Sequence, residues 1–198
     1  PALAPSPDGV AAIALAADGT GPLTDGLDAE PTDFPTAVRG DRDAAAILYT
    51  SGTTGRPKGA VLSHGNLASN ALALHRAWGF GPDDVLLHAL PLFHAHGLFV
   101  ALHTTLWNGT PMRFLPRFDV GAVLDALPHA TVMMGVPTHY TRLLADPRLD
   151  VERCRRMRLF VSGSAPLRPA TFAAFRERTG HAILERSEER RVGKECRS

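Results

Sequence analysis

The stretch Tyr49-Thr50-Ser51-Gly52-Thr53-Thr54-Gly55-Arg56-Pro57-Lys58-Gly59-Ala60 constrains this chain more than any other. An apolar run at 44–49 feeds it, and a shorter one at 60–62 leaves it. Glycine has no Cβ, so a backbone rich in it can turn sharply and bring its N–H groups close to an anion. Thr50, Ser51, Gly52 and Thr53 can donate to phosphate oxygens without adding bulk, and Lys58 places a positive charge on a flexible stem. The pattern reads as a nucleotide-phosphate loop. A generic serine-glycine turn accounts for Ser51-Gly52, but not for Thr53-Thr54-Gly55, the stiffening Pro57 or the lysine after it. The Walker A spacing is not met, because Pro57 precedes Lys58 and Gly59 follows it.

Around the loop the chain alternates between two periodicities. The continuous apolar run at 44–49 predicts a strand buried on both faces of a sheet. Ser63 is placed to cap a helix whose inner face is Leu67, Ala71, Leu74 and Trp78, ended by Gly79 and Gly81-Pro82. A strand at 84–90 delivers Pro91-Leu92-Phe93-His94-Ala95-His96-Gly97, and 98–107 reads as one buried helix. A strand follows at 110–115, then a helix capped by Asp119 with Val120, Val123, Leu124 and Leu127 at matching offsets. A strand at 130–136 leads to a helix opened by Pro137 and running to 144. The last elements are a strand at 158–161, a helix at 169–179 closed by Gly180, and a strand at 182–184. Strands alternating with helices imply an α/β layered sheet. Three segments result: a strand-and-loop stretch at 1–40 with one apolar run at 10–16, a main domain at 41–186, and a charged tail, SEERRVGKECRS, at 187–198. The tail breaks the pattern and reads as a solvated end or a sequence junction.

Composition excludes several partners. A chain of 198 residues with 44% hydrophobic residues can bury a core. A net charge of +1 gives no signal for nucleic acid or an acidic membrane surface. Cys154 and Cys196 lack metal-ligand spacing. No apolar run reaches membrane-spanning length and no signal-peptide pattern opens the chain, so a cytoplasmic protein is expected.

Three further groups carry candidate chemistry. His94 and His96, two apart, would point the same way on a strand. A metal reading lacks a nearby Asp, Glu or Cys to complete the ligand set, and histidines satisfied by backbone groups are the structural alternative. Ser162-Gly163-Ser164-Ala165-Pro166 follows a strand and precedes a helix, where small residues allow close approach to a flat base; a plain turn explains the same residues. Arg142 has the planar two-pronged donor that a buried carboxylate needs, against the reading of a surface arginine on an amphipathic helix. Arg113 and Arg117 are less favoured for that role.

The loop at 49–60, the Pro91–Gly97 motif and the Ser162–Leu167 segment agree in order and spacing with the adenylate-forming superfamily, which they resemble: acyl-CoA synthetases, peptide-synthetase adenylation domains and luciferases. The resemblance spans 44–185. Around Met133-Met134-Gly135-Val136-Pro137-Thr138-His139-Tyr140-Thr141-Arg142 the chain is most similar to malonyl-CoA synthetases. It implies a truncated N-terminal α/β domain, with the C-terminal domain absent, from an enzyme using ATP, Mg2+ and coenzyme A. Malonate or methylmalonate would be joined to the thiol through an acyl-adenylate. Thr50, Ser51, Gly52, Thr53, Thr54 and Gly55 would wrap the phosphates, with Thr53 near the metal and Lys58 steadying the loop or the leaving pyrophosphate. His94 would donate to the reacting carboxylate at the acyl pocket beside His96. Ser162, Gly163, Ser164, Ala165 and Pro166 would lie against adenine, and Arg142 would bind the free carboxylate. Another adenylate-forming enzyme, acting on aryl or fatty acids or on amino acids, is the alternative within the superfamily; an amino-acid pocket normally needs an aspartate for the ammonium, and none is suitably placed. The family's adenine-stacking aromatic and magnesium-holding glutamate have no match after Arg186, so a fragment unable to complete the reaction is expected, and a non-catalytic nucleotide-binding piece is the rival reading.

Overall fold

The structure, a computed structural model, describes residues 20, 21, 24, 33, 35–50 and 58–186. The expected strand at 10–16, the loop residues Ser51, Gly52, Thr53, Thr54 and Gly55, and the tail at 187–198 lie outside them. The chain divides into two units, 1–38 and 39–198, and every element below belongs to the second.

In chain order these elements are β1 (Ala44–Thr50), β2 (Lys58–Ser63), α1 (His64–Trp78), β3 (Leu86–His88), a π-helical turn (His96–Leu102) continuing as α2 (His103–Asn108), and β4 (Met112–Phe114). Then come α3 (Val120–Ala126), β5 (Val132–Gly135), α4 (Pro137–Leu144), β6 (Leu159–Ser162), α5 (Pro169–Thr179) and β7 (Ile183–Glu185). Five strands form a parallel sheet in the order β4-β3-β5-β6-β7. Successive strand residues face opposite sides, which sorts the core into two. Leu87, Met133, Phe160 and Ile183 pack with Val123 and Leu124 of α3, Tyr140 and Leu143 of α4 and Phe175 of α5. Leu86, Val132, Met134 and Val161 pack instead with Trp78 of α1 and with Val100 and Ala101 of the π-helical turn. Helices therefore cover both faces, the layered α/β arrangement expected from the alternating pattern.

Local signals fix the helix ends. The Ser63 hydroxyl accepts from the Asn66 N–H at 3.2 Å, and the Asn66 side chain accepts from the Ser63 N–H at 3.0 Å. This reciprocal cap opens α1, which closes on Gly79. Prolines 137 and 169 stand in the first turns of α4 and α5, where their missing N–H is not needed.

Two expectations are corrected. The segment at 98–107 is not one regular helix. The Asn70 side chain donates to the Phe99 carbonyl at 3.0 Å, so the His103 N–H passes over that oxygen to Leu98, five residues back. That wider turn is the π-helix. The run at 44–49 is not a strand buried on both faces of the main sheet. It pairs antiparallel with β2 in a separate two-stranded ribbon, Thr50 opposite Lys58. Leu48 and Leu62 line a hollow against Leu67 and Phe99, while Ile47, Tyr49 and Val61 on the other face are exposed. Among the described residues the ribbon is covered on the side of Leu48 and Leu62, and a continuous apolar run does not reveal how many faces are covered.

At the amino ends of the parallel strands, Asp84 is buried and clasped. Arg158 donates to both its carboxylate oxygens and, through a third nitrogen, to the Trp78 carbonyl at 2.9 Å. The Thr131 hydroxyl donates to the same carboxylate at 2.7 Å. Among the described residues no helix is long and apolar enough to cross a membrane.

Candidate active site

The sheet order creates a place for a ligand. The connection after β3 leads outward to β4, whereas the connections after β5 lead the opposite way to β6 and β7. Between β3 and β5 the chain thus leaves in two directions, and the carboxyl ends of the two strands open a crevice there. A cavity of about 170 Å³ occupies it, lined by Leu90 and Pro91 after β3, His94, His96 and Gly97, Val136 and His139 after β5, and Ser164 after β6.

His94 and His96 do not lie on a strand, so the shared orientation expected of alternate strand positions does not hold. His94 sits in the exposed turn after β3, and its Nδ1 accepts from the His96 N–H at 3.2 Å. His96 opens the π-helical turn and is 1% exposed. Burial above all, then the charge of Arg186 and the neighbouring imidazoles, pushes its pKa down to about 4. It is therefore neutral at pH 7. Its Nδ1 lies 3.4 Å from the Ser164 hydroxyl, and its Nε2 is buried without a hydrogen-bond partner. Among the described residues no group of three or more His, Cys, Asp or Glu is placed to hold a metal ion.

Gly163 is pressed against His96. A Cβ there would lie 2.8 Å from the His96 Cε1 and 3.2 Å from the Arg186 carbonyl oxygen. Two hydrogen bonds carry the strand ladder into this turn: Gly163 N–H to the Gly135 carbonyl at 3.1 Å, and Arg186 N–H to the Ser162 carbonyl at 2.7 Å. Ser164 then adopts a left-handed φ of 68°. A non-glycine residue in that region stores about 1 kcal/mol of strain. We expect Ser164→Gly to raise stability by about 1 kcal/mol, measured by urea unfolding, while removing a hydroxyl from the cavity wall. An unchanged or lower midpoint would show that the hydroxyl contact outweighs the strain.

The other sequence candidates fall around this centre. Ser162 is fully buried and its hydroxyl has no partner; Ala165 and Pro166 are exposed beyond the turn. Lys58 is exposed at the start of β2. Of Thr50 the structure describes the backbone, as the end of β1. Arg142 is exposed on α4 and does not enter the histidine cavity. It lines a neighbouring hollow of about 480 Å³ with Pro137, Thr138, Thr141, Pro166 and Arg168, its guanidinium 5.0 Å from the centre of the Phe118 ring.

One residue of the site escapes sequence reasoning. His139 lines the small cavity and stacks on Phe118, with ring centres 3.9 Å apart and planes within 8°. Burial, then the charge of Arg142, holds its pKa down to about 4. The sequence places it inside the 133–142 segment that carries the resemblance, three residues from Arg142 and so on the same helix face, but assigns it no role.

Comparison with known proteins places the arrangement. The family model for AMP-binding enzymes matches residues 5–186. The mitochondrial malonate–CoA ligase ACSF3 of Mus musculus is 42% identical over 178 residues, 81% of this chain and 30% of its own. The crystal structure of apo MatB from Rhodopseudomonas palustris shares 56% identity with a TM-score of 0.87, over 90% of this chain and 35% of that one. The ATP-bound MatB structure from the same organism shares 57% identity with a TM-score of 0.84, over 88% and 35%. The chain thus spans about a third of the length of the relatives it matches. It belongs to the AMP-binding enzyme family, and its fold is that of part of the N-terminal domain of adenylate-forming enzymes.

Proposed function

We propose that residues 41–186 are part of the N-terminal domain of an ATP-dependent carboxylate–CoA ligase whose acid is malonate or methylmalonate. The observation that carries this reading is the cavity at the carboxyl ends of β3 and β5, with His94, His96 and Ser164 on its wall and the Gly163 turn against His96. The relatives whose names specify malonate point to the same acid.

The ligation brings two anions together, so the protein must orient them and exclude water. A carboxylate oxygen attacks the α-phosphorus of ATP, pyrophosphate leaves, and the thiolate of coenzyme A then displaces AMP from the acyl-adenylate. An imidazole suits this step, because it can donate an N–H to the carboxylate; the Nδ1 of His94 accepts from the His96 N–H, which leaves Nε2 to donate. His94, on the exposed rim, takes that role, and His96 closes the wall behind it. Ser162, Gly163, Ser164, Ala165 and Pro166 form the turn against which adenine lies. Thr50, Ser51, Gly52, Thr53, Thr54 and Gly55 hold the phosphates, and Lys58 steadies the leaving pyrophosphate. Arg142, which lines the neighbouring hollow beside Phe118, takes the free carboxylate once its guanidinium turns off that ring towards the histidine cavity. Magnesium would neutralise phosphate charge beside Thr53, although the described residues offer no ligand cluster for it.

The test is pyrophosphate exchange by the full-length protein with malonate, methylmalonate, aromatic acids and amino acids. Exchange should be fastest with the two dicarboxylates; a preference for an aromatic or amino acid overturns the substrate assignment. Lys58→Ala should slow exchange by about tenfold or more, and an unchanged rate would remove that lysine from the mechanism.

A further inference from the structure

His139 stands between two cavities. On one side is the histidine-walled space of about 170 Å³. On the other is a hollow of about 380 Å³, lined by Phe93, Phe114, Pro116, Arg117 and Phe118. Leu90 and Pro91 also border both spaces, but they belong to the chain leaving β3, whereas His139 is the side chain contributed from α4. Its ring is fixed by the flat stack on Phe118, and Arg142, one helical turn on, holds its guanidinium by the same phenyl ring. The small cavity lies below the roughly 300–1,000 Å³ range of pockets for drug-sized ligands.

We infer that His139 is a specificity-determining partition: its stacked ring keeps the acyl group small by closing the histidine-walled cavity off from the Phe118 hollow. This inference rests on the ligase reading above. The smaller space holds a short acid, and the larger one beyond the ring would take an aromatic or branched acid once the partition is gone. The neighbouring surface is suited to such a group, with Phe93, Phe114 and Phe118 among its walls. The orphaned Nδ1 of His139 is buried, so the ring's shape and stacking, not a hydrogen bond from that atom, account for its placement.

The experiment compares His139→Ala with His139→Phe in the full-length enzyme, reading kcat/KM for malonate and for benzoate by pyrophosphate release. His139→Ala should raise the benzoate-to-malonate ratio by about tenfold or more, the scale of pocket-shape discrimination. His139→Phe retains a stacked ring and should leave the ratio near wild type. Should the alanine variant fail to fold, His139→Trp decides: a larger ring narrows the small cavity and should lower kcat/KM for methylmalonate more than for malonate. A ratio within about twofold of wild type in a folded alanine variant, or equal losses on both acids in the tryptophan variant, overturns the partition. Wild-type enzyme that activates no small dicarboxylate would instead remove the ligase reading beneath it.

Discussion

Gly97→Ala should destabilise the protein by about 3 kcal/mol or more, the upper range for forcing an atom into a packed interior. Gly97 is buried in the π-helical turn, one residue after His96. A Cβ on it would run into the Pro91 carbonyl, with the carbonyl carbon at 2.9 Å and the Leu90 Cβ at 3.3 Å. The obstacle is backbone, so no side-chain rotation relieves it. Room comes only by separating the π-helical turn from the 91–94 turn, where the His94 N–H donates to that same Pro91 oxygen. His94 and His96 then lose their common cavity, so exchange activity should fall along with the urea midpoint. An alanine variant with an unchanged midpoint would mean that the turn yields freely.

Arg158→Leu should cost about 3 kcal/mol at neutral pH, the low end for stranding a buried charge, since Arg158 is itself partly exposed. Burial alone would raise the Asp84 pKa. Hydrogen bonds from Arg158, the Gly81 N–H and Thr131, together with the arginine's charge, outweigh it and hold the carboxyl below its ordinary value. In the native protein this clasp therefore stabilises fully above the unfolded pKa of about 3.9 and is lost as pH falls through the lower folded value. In the leucine variant the sign reverses, because an unpartnered buried carboxylate prefers to be protonated. The penalty should be largest near pH 7 and shrink towards about pH 4 as Asp84 takes up a proton. Urea unfolding at both pH values measures this, and adding Asp84→Asn should recover part of the loss at pH 7. A penalty independent of pH would show that Arg158 acts through packing alone.

Much of this fold is legible in the chain because its punctuation is local. Ser63 and Gly79 bracket α1, and prolines 137 and 169 mark the openings of α4 and α5, each a decision made within one turn of backbone. The run at 44–49 misleads because a continuous apolar strand looks the same in a covered sheet and in a ribbon. The π-helical turn depends on Asn70 reaching Phe99, 29 residues away, and Asp84 meets Arg158 across 74; no window of sequence contains either pair. The histidine motif can be located, but not the opposite fates of its two rings. Their different exposure comes from the chain leaving β3 in a turn, not in a strand. His139 stays hidden because an isolated histidine on an amphipathic helix does not say what its ring leans on.

The wide turn that begins at His96 is, in effect, a one-residue length surplus absorbed without a loop. Deleting a single residue between 98 and 102 would let the ladder close with the regular four-residue spacing and would release Asn70 from the Phe99 carbonyl. The helix would gain regularity, and because the surplus residue is already taken up inside the wide turn, the residues downstream of it would keep their present faces. Leu106 and Trp107 already line a hollow with Leu67, Ala68 and Ala71 of α1, and that seat would be kept. The irregularity is therefore a tolerance of length: the segment carries one residue more than its seat on the neighbouring helix requires, without moving either that seat or His96 on the crevice wall.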